Sequence, residues 1–260
     1  MKTKSPPLTI ITVHLDNFIG LDETRDSLSR AAPGSSAFEW IVIDGNSKIR
    51  SSQDSEILTN TRQQADTFIS EVDQGTYDAM NKGAEIATGD YLLFLNSGDL
   101  IHPAIDWDSL NQAMAKKPDM IWGQCAEEYM NGEFVSVKTR SPRWAWYGMP
   151  VHHSATIYKR AILNRPAFNL SYRIGADYDL LLGILDKKPK ILVLKSLISI
   201  FRHGGVSRNE WRLALTEEES LRTKYFGFGQ IGNALITKLK CLNRQLAKSS
   251  SLRRFWRNWI

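Results

Sequence analysis

Four short apolar runs punctuate the N-terminal part of the chain: LTIITV (Leu8 to Val13), FEWIVID (Phe38 to Asp44), DTFIS (Asp66 to Ser70) and YLLFL (Tyr91 to Leu95). Of strand length and rich in Val, Ile, Phe and Tyr, they predict short strands, the continuous run YLLFL one buried on both faces. Helix-compatible segments lie between them, at Asp22 to Ala31, after Ser51 and at Thr76 to Ala87. In the last, Met80, Gly83, Ala84 and Ala87 share one helical face, Thr76 stands where an N-cap is expected, and Gly89 stops the helix. This alternation predicts an α/β fold with a Rossmann-like, mostly parallel central sheet and helices on both faces. Beyond Asp99 the pattern loosens. PAIDWDSLNQAM and ADYDLLLGIL predict helices, DMIWG and EFVSVK strands, KILVLKSLISIF two short strands or a bent one, and SPRWAWYGMP an aromatic loop bounded by prolines.

Doubly wound sheets bind ligands beyond the carboxyl ends of their strands. Those ends carry Thr12, Val13 and His14, then Asp44, then Glu71 and Asp73, then Asn96 to Asp99. Acids in such a place repel phosphates unless a cation intervenes. Asp99, at the tip of a buried strand, therefore makes sense as an oxygen ligand for Mg2+ or Mn2+ bridging a diphosphate, because hard cations prefer carboxylate and phosphate oxygen.

Composition narrows the setting. With 260 residues and 42% hydrophobic content the chain can bury one large core without staples. Cys125 and Cys241 lie far apart with no CxxC partner, which argues against a disulfide framework or a thiolate zinc site and fits a reducing compartment. The N-terminal apolar run is too short for a signal or membrane span, so a cytoplasmic location is expected. The net charge of +5 is concentrated at the C-terminus, where Lys238, Lys240, Arg244, Lys248, Arg253, Arg254 and Arg257 stand with no acid among them. Ile231, Leu235, Leu239, Leu242 and Leu246, then Leu252, Phe255, Trp256, Trp259 and Ile260, recur at helical spacing between these bases. Such a tail either lies on anionic lipid, placing the protein peripherally on the inner face of the cytoplasmic membrane through 231–260, or covers the main domain or a second subunit.

LTIITVHLDN, FEWIVIDGNS, SEVDQGTYDAMNKGAEIATGDYLLFLNSGD and GADYDLLL occur in an order and spacing that resembles family-2 glycosyltransferases of the GT-A fold, and in particular bacterial exopolysaccharide enzymes of the colanic-acid type. The resemblance covers roughly Leu8 to Ser207. It implies a catalytic domain over 1–207, with a nucleotide-sugar half at about 8–100 and an acceptor half at 101–207, followed by a basic amphipathic helical extension over 208–260. It also implies an inverting transferase that uses a nucleotide-diphosphate sugar, a UDP-sugar by family habit, a divalent metal and a carboxylate base. The acceptor would be a glycan or lipid-linked saccharide in exopolysaccharide or lipopolysaccharide biosynthesis. By the same resemblance Thr12, Val13 and His14 flank the nucleotide base and Asp44 contacts uracil or ribose. Glu71, Asp73, Asp78 and Lys82 line the donor pocket, with Lys82 near the phosphates. Asn96 and Asp99 stand at the metal motif with Asp99 the ligand, His203 is a second metal candidate, and Asp177 is the catalytic base. The turn GNSKIR after Asp44 lacks a second acid that relatives carry, Asn96 replaces the first acid of the metal motif, and Gly183 stands where relatives often carry arginine.

Plainer roles compete for several of these residues. Asp99 can cap the segment after its strand, Asp78 and Lys82 can form an i,i+4 ion pair, and Asp177 with Asp179 can serve the dipole of the helix they begin. Adjacent His152 and His153 would point to opposite faces of a strand, with His152 the acceptor-side candidate and the other in the core. Trp146 can stack on a sugar or pack on the domain. At the level of function, a nucleotide-sugar-binding protein without turnover is the second reading. A nucleic-acid-binding tail is the third, and the acids at the strand ends argue against nucleic acid for the main domain.

Overall fold

The computed structural model describes residues 7–32, 34, 37–128, 134–202 and 210–246; His203 and residues 247–260 lie outside the described residues. The first half runs β1 (Leu8–His14), α1 (Phe18–Ala31), β2 (Glu39–Asp44), α2 (Ser52–Gln64), β3 (Thr67–Ser70), α3 (Thr76–Ile86) and β4 (Tyr91–Phe94). All four strands are parallel, in the order β3-β2-β1-β4. β1 is buried along its whole length because both faces are covered. Leu8 and Ile10 pack with Leu21, Leu28 and Leu58 of α1 and α2, whereas Ile11 and Val13 pack with Ala79 and Met80 of α3. Each such buried side chain is worth roughly 1.5–3 kcal/mol, so the sheet fixes where the four carboxyl ends lie.

Two helix starts differ from expectation. α1 begins at Phe18 rather than Asp22 because the Asn17 side chain accepts from the Gly20 N–H (3.2 Å). α3 is capped by Gly75 and not by the Thr76 hydroxyl; Asp73 accepts from the Gly75 N–H (2.8 Å) and Asp78 from the Gln74 N–H (3.0 Å).

The second half adds β5 (Leu100–Ile101), α4 (Trp107–Ala115), β6 (Met120–Glu128), β7 (Phe134–Val137), β8 (Thr156–Lys159), α5 (Ala176–Asp186), β9 (Ile191–Arg202), α6 (Trp211–Phe226) and α7 (Gln230–Leu246). The sheet continues β4-β8-β6-β9-β5, and β7 pairs with β6. β8 runs antiparallel to both β4 and β6, so the sheet is parallel on its nucleotide-like side and mixed beyond β4. KILVLKSLISIF forms one bent strand. Its register with β6 shifts around Gln124, and Ile198 presses against Gly123 so closely that a Cβ there would sit 2.2 Å from its side chain. α6 packs on α5 and buries Glu217, Leu221 and Arg222, and α7 packs on α6.

Candidate functional site

The turn after β4 is held by the first turns of α1. Gly98, at φ +100°, donates its N–H to the Gly20 carbonyl (3.0 Å) and the Thr24 hydroxyl (3.0 Å), and the Thr24 hydroxyl lies 2.8 Å from the Asp99 carbonyl. Asn17 adds a bond from its amide to the Ser97 carbonyl (3.0 Å). A positive φ of this kind suits glycine, and the result is a tight turn that folds Asp99 inward. Burial pushes the Asp99 carboxyl up to about 7, against the opposing effect of backbone hydrogen bonds from Arg202 and Asn96. The Asn96 side-chain oxygen is also buried and has no hydrogen-bond partner among the described residues. A buried amide oxygen without a donor and a desolvated carboxyl three residues apart are hard oxygen donors that fit a divalent cation. Among the described residues no group of three His, Cys, Asp or Glu side chains gathers to hold a metal by protein ligands alone.

The ends of β1 and β2 meet this turn. His14 faces Asp44 across the β1–β2 register, and its Nδ1 lies 3.5 Å from the Ser97 hydroxyl. Burial lowers the His14 pKa, although Asp44 and Asp16 pull the other way, and Nε2 is buried with no partner among the described residues. Asp44 accepts from the Ser70 hydroxyl (2.6 Å) and the Ser47 N–H (3.1 Å). Thr12 and Val13 require a correction. The Thr12 hydroxyl is fully buried and accepts from the Trp40 indole (3.0 Å); the Val13 side chain lies in the core under α3 and its carbonyl accepts from the Ser97 N–H (3.1 Å). Both side chains support the site from below and present no surface to a base. Asp16, which sequence reasoning missed, holds the turn after β2: it accepts from the Lys48 N–H (2.8 Å) and from the Arg50 guanidinium (2.9 Å).

Beyond β3, Asp73 lies against Gly45, where a Cβ would stand 2.6 Å from its carboxylate. Lys82 is drawn into this segment. Its ammonium lies 2.8 Å from Glu71, 3.0 Å from the Val72 carbonyl and 3.5 Å from Asp78, and the Glu71 bond raises its pKa. The i,i+4 pair with Asp78 is present, but Glu71 is the closer partner. Glu71, Asp73, Asp78 and Lys82 are thereby gathered on one loop–helix junction beside Asp44.

Asp177 sits in the first turn of α5. Its Oδ1 accepts from the Tyr178 N–H (2.8 Å) and lies 3.2 Å from the Tyr77 hydroxyl of α3. Burial nevertheless pushes its carboxyl up to about 6, and His152 acts on it as an opposing positive charge. Asp179 has a different role. It accepts from Lys224 (2.8 Å) and the Tyr225 hydroxyl (2.9 Å) and ties α5 to α6. Gly183 lies on the same seam, where a Cβ would stand 3.3 Å from the Tyr225 hydroxyl oxygen. Glu217 of α6, also missed, accepts from the N–H groups of Arg173 (2.8 Å), Ile174 (2.9 Å) and Gly175 (2.7 Å) and so holds the loop that delivers Asp177.

The two histidines precede β8 in a short 3-10 turn and not in a strand. His152 is half-buried, with Nδ1 2.9 Å from the Ser154 hydroxyl and its ring 4.5 Å from that of Phe201. Since Phe201 precedes the Arg202 whose backbone bonds Asp99, His152 bridges the Asp177 and Asp99 sides of the site. His153 is half-buried with both ring nitrogens inward: it stacks on Phe94 (5.6 Å), and burial lowers it to about 4. Neither of its nitrogens has a hydrogen-bond partner among the described residues. Trp146 packs between Trp144 and Phe228, both 6.1 Å away, which is the packing role rather than a free sugar platform. A groove of about 460 Å³ runs along the α6–α7 hairpin, yet its lining includes no residue from the strand ends or α5. The chemistry is therefore assigned to the strand ends, where the buried acids are.

The buried Asp44 and Asp99 carboxyls beyond the parallel strands, with the half-buried Asp177 carboxyl at the start of α5 in the second half, define where the candidate chemistry lies. The glycosyl transferase family 2 pattern matches residues 10–176, and the chain belongs to that family. A PGL/p-HBAD biosynthesis glycosyltransferase of Mycobacterium bovis is 28% identical over 191 residues, covering 67% of this chain and 68% of its own length; one from Mycobacterium tuberculosis matches equally. Among solved structures, S. aureus TarS residues 1–349 superpose with a TM-score of 0.63 at 16% identity, covering 88% of this chain and 68% of that one. The mannosyltransferase PcManGT from Pyrobaculum calidifontis, in complex with GDP-Man and Mn2+, gives 0.62 at 14% identity, covering 97% and 84%. These likenesses show the GT-A fold, and the chain is a glycosyltransferase.

Proposed function

We propose that this glycosyltransferase is inverting and metal-dependent, and moves a sugar from a nucleotide-diphosphate sugar, a UDP-sugar in the leading case, to a hydroxyl of a glycan or lipid-linked saccharide in exopolysaccharide or lipopolysaccharide biosynthesis. The observation that carries the reading is Asp177: a half-buried carboxyl raised to about 6 by its desolvation, in the first turn of α5 in the second half of the fold. Such a group is ionised at neutral pH yet basic enough to accept a proton. It takes the acceptor hydroxyl's proton as the oxygen bonds to the anomeric carbon, while the bond from that carbon to the diphosphate breaks and its electron pair leaves with the nucleotide. Attack from the face opposite the leaving group turns an α-linked donor into a β-linked product.

His14 and Asp44 flank the nucleoside in this reading, and Asp73 and Lys82 the diphosphate sugar. Asn96 and Asp99 would hold Mn2+ or Mg2+, which when bound stabilises the charge that develops on the departing diphosphate. Support for a UDP-sugar comes from TarS, solved in complex with UDP and with UDP-GlcNAc, and for the cation from PcManGT with Mn2+. The naming of the mycobacterial relatives for PGL/p-HBAD biosynthesis supports a biosynthetic transfer. Calorimetric titration with UDP and GDP, with and without Mn2+, beside Asp99→Ala, tests the donor site. Binding of UDP only with the metal, lost in the variant, is the expected result. Failure of both nucleotides under every metal condition would sink the reading.

A further inference from the structure

α7 is mounted with its polar side against the protein. Asn233 accepts from the Arg222 guanidinium (3.0 Å) and donates to the Thr223 hydroxyl (2.9 Å), the Thr237 hydroxyl donates to Glu219 (2.5 Å), Lys240 pairs with Glu218, and Asn243 donates to the Tyr147 hydroxyl (3.0 Å). Among the described side chains of α7, Ile236 is the one large aliphatic residue turned inward. Ile231, Leu235, Leu239 and Leu242 stand 81%, 63%, 43% and 51% exposed. An amphipathic helix serving its own fold buries the apolar stripe; here the stripe faces out.

The exposed surface continues past the helix. Rings of Trp144, Trp146, Phe228 and Phe226 follow one another at centroid distances of 6.1, 6.1 and 6.4 Å, and Trp144 and Phe226 are open to solvent at the ends of that row. A contiguous apolar patch of this kind marks an interaction site, and charge selects the partner. No Asp or Glu follows Glu219 in the sequence. Arg222 and Lys240 meet Glu218, and Lys224 meets Asp179, whereas Lys238 is exposed beside the stripe. Beyond the described residues the sequence adds Lys248, Arg253, Arg254 and Arg257, with Phe255, Trp256 and Trp259 among them. A second copy meeting this face through a two-fold axis would set these bases near one another at a cost. An anionic bilayer accepts the stripe and the bases together.

We propose that the exposed face of α7 docks on an anionic lipid surface, with Ile231, Leu235, Leu239 and Leu242 entering the headgroup–acyl boundary and the exposed Lys238 meeting the headgroups. The inference rests on α7 and its surroundings and is independent of the donor and acceptor chemistry. Co-sedimentation of the full chain with vesicles of phosphatidylcholine alone, and of phosphatidylcholine mixed with phosphatidylglycerol, tests it without any nucleotide. The full chain is expected to pellet with the mixed vesicles, weakly with the neutral ones, and less as salt is raised. The double variant Leu235→Glu, Leu239→Glu should lose about tenfold in vesicle affinity with an unchanged melting curve, since both side chains are solvent-facing. No binding to either vesicle, or full binding by the double variant, overturns the proposal. So does a dimer in light scattering that the same two substitutions dissolve, because the face would then belong to a second copy.

Discussion

The Tyr77 hydroxyl lies 3.2 Å from Oδ1 of Asp177 and within hydrogen-bonding distance of the Ile174 carbonyl, which joins α3 to the first turn of α5. Its single proton serves the carboxylate or the carbonyl. Donation to Asp177 favours the ionised acid and opposes the burial that raises it. Tyr77→Phe keeps the stacking on Phe168 at 5.4 Å and deletes only this hydroxyl. The acid limb of the pH–rate profile should move up by about 0.5–1 pH unit, consistent with a shared hydrogen bond to a charged group. A limb that stays in place would show that Tyr77 does not tune Asp177.

Asp177→Asn separates catalysis from stability. The carboxyl is raised from 3.8 in an unfolded-like setting to about 6 in the fold. A raised acid contributes stability that is fully present below its unfolded value and lost as pH rises through its folded one. Above pH 6 the buried ionised form therefore costs the fold about 3 kcal/mol at most. The Asn variant should gain up to that amount at pH 8 while sugar transfer falls by about 10²–10⁴ and donor binding survives. Denaturant melts and initial rates on one preparation decide it; retained transfer would remove Asp177 from the role of base.

The parallel half was legible because β1 and β4 are buried on both faces, so LTIITV and YLLFL carry the signal in consecutive apolar residues. KILVLKSLISIF was ambiguous because its bend depends on Ile198 entering the space over Gly123, a contact between distant segments. Acids at the strand ends could be located, but their neighbours could not. Glu217 sits in TEEES, which reads as a solvated helix face, and only the packing of α6 on α5 turns it inward. Thr12 and Val13 misled for the opposite reason. Their place at a strand end is right, but the indole of Trp40 and the backbone of Ser97 already occupy the groups they could offer.

Lys82 is held by Glu71, Asp78 and the Val72 carbonyl. Its pairs with Glu71 and Asp78 are partly exposed, so Lys82→Ala should cost less than about 1 kcal/mol in a denaturant melt. If the ammonium turns to the diphosphate in the donor complex, the same variant should raise the donor KM about tenfold with little change in kcat, since the interaction is made in ground and transition states alike. An unchanged KM would leave Lys82 as a clasp on the 71–78 segment only.

Glu217 is a positioning residue whose test separates it from a general stabiliser. Three consecutive backbone N–H groups, from Arg173 to Gly175, end on its carboxylate, and Gly175 is the N-cap residue of the helix that carries Asp177. Each such charge-assisted bond contributes about 1.5–3 kcal/mol, and they are not independent. Glu217→Ala should therefore lose about 4 kcal/mol and lower Tm by about 10 °C for a chain of this size. Glu217→Gln keeps one carbonyl acceptor and should fall between the two. Displacement of Asp177 by even a fraction of its approach distance should cut kcat by about tenfold or more, whereas any nucleotide affinity measured for the wild type should be unchanged. A variant that loses Tm but keeps kcat at a permissive temperature would confine Glu217 to stability, because a base set out of place cannot transfer the proton at the original rate.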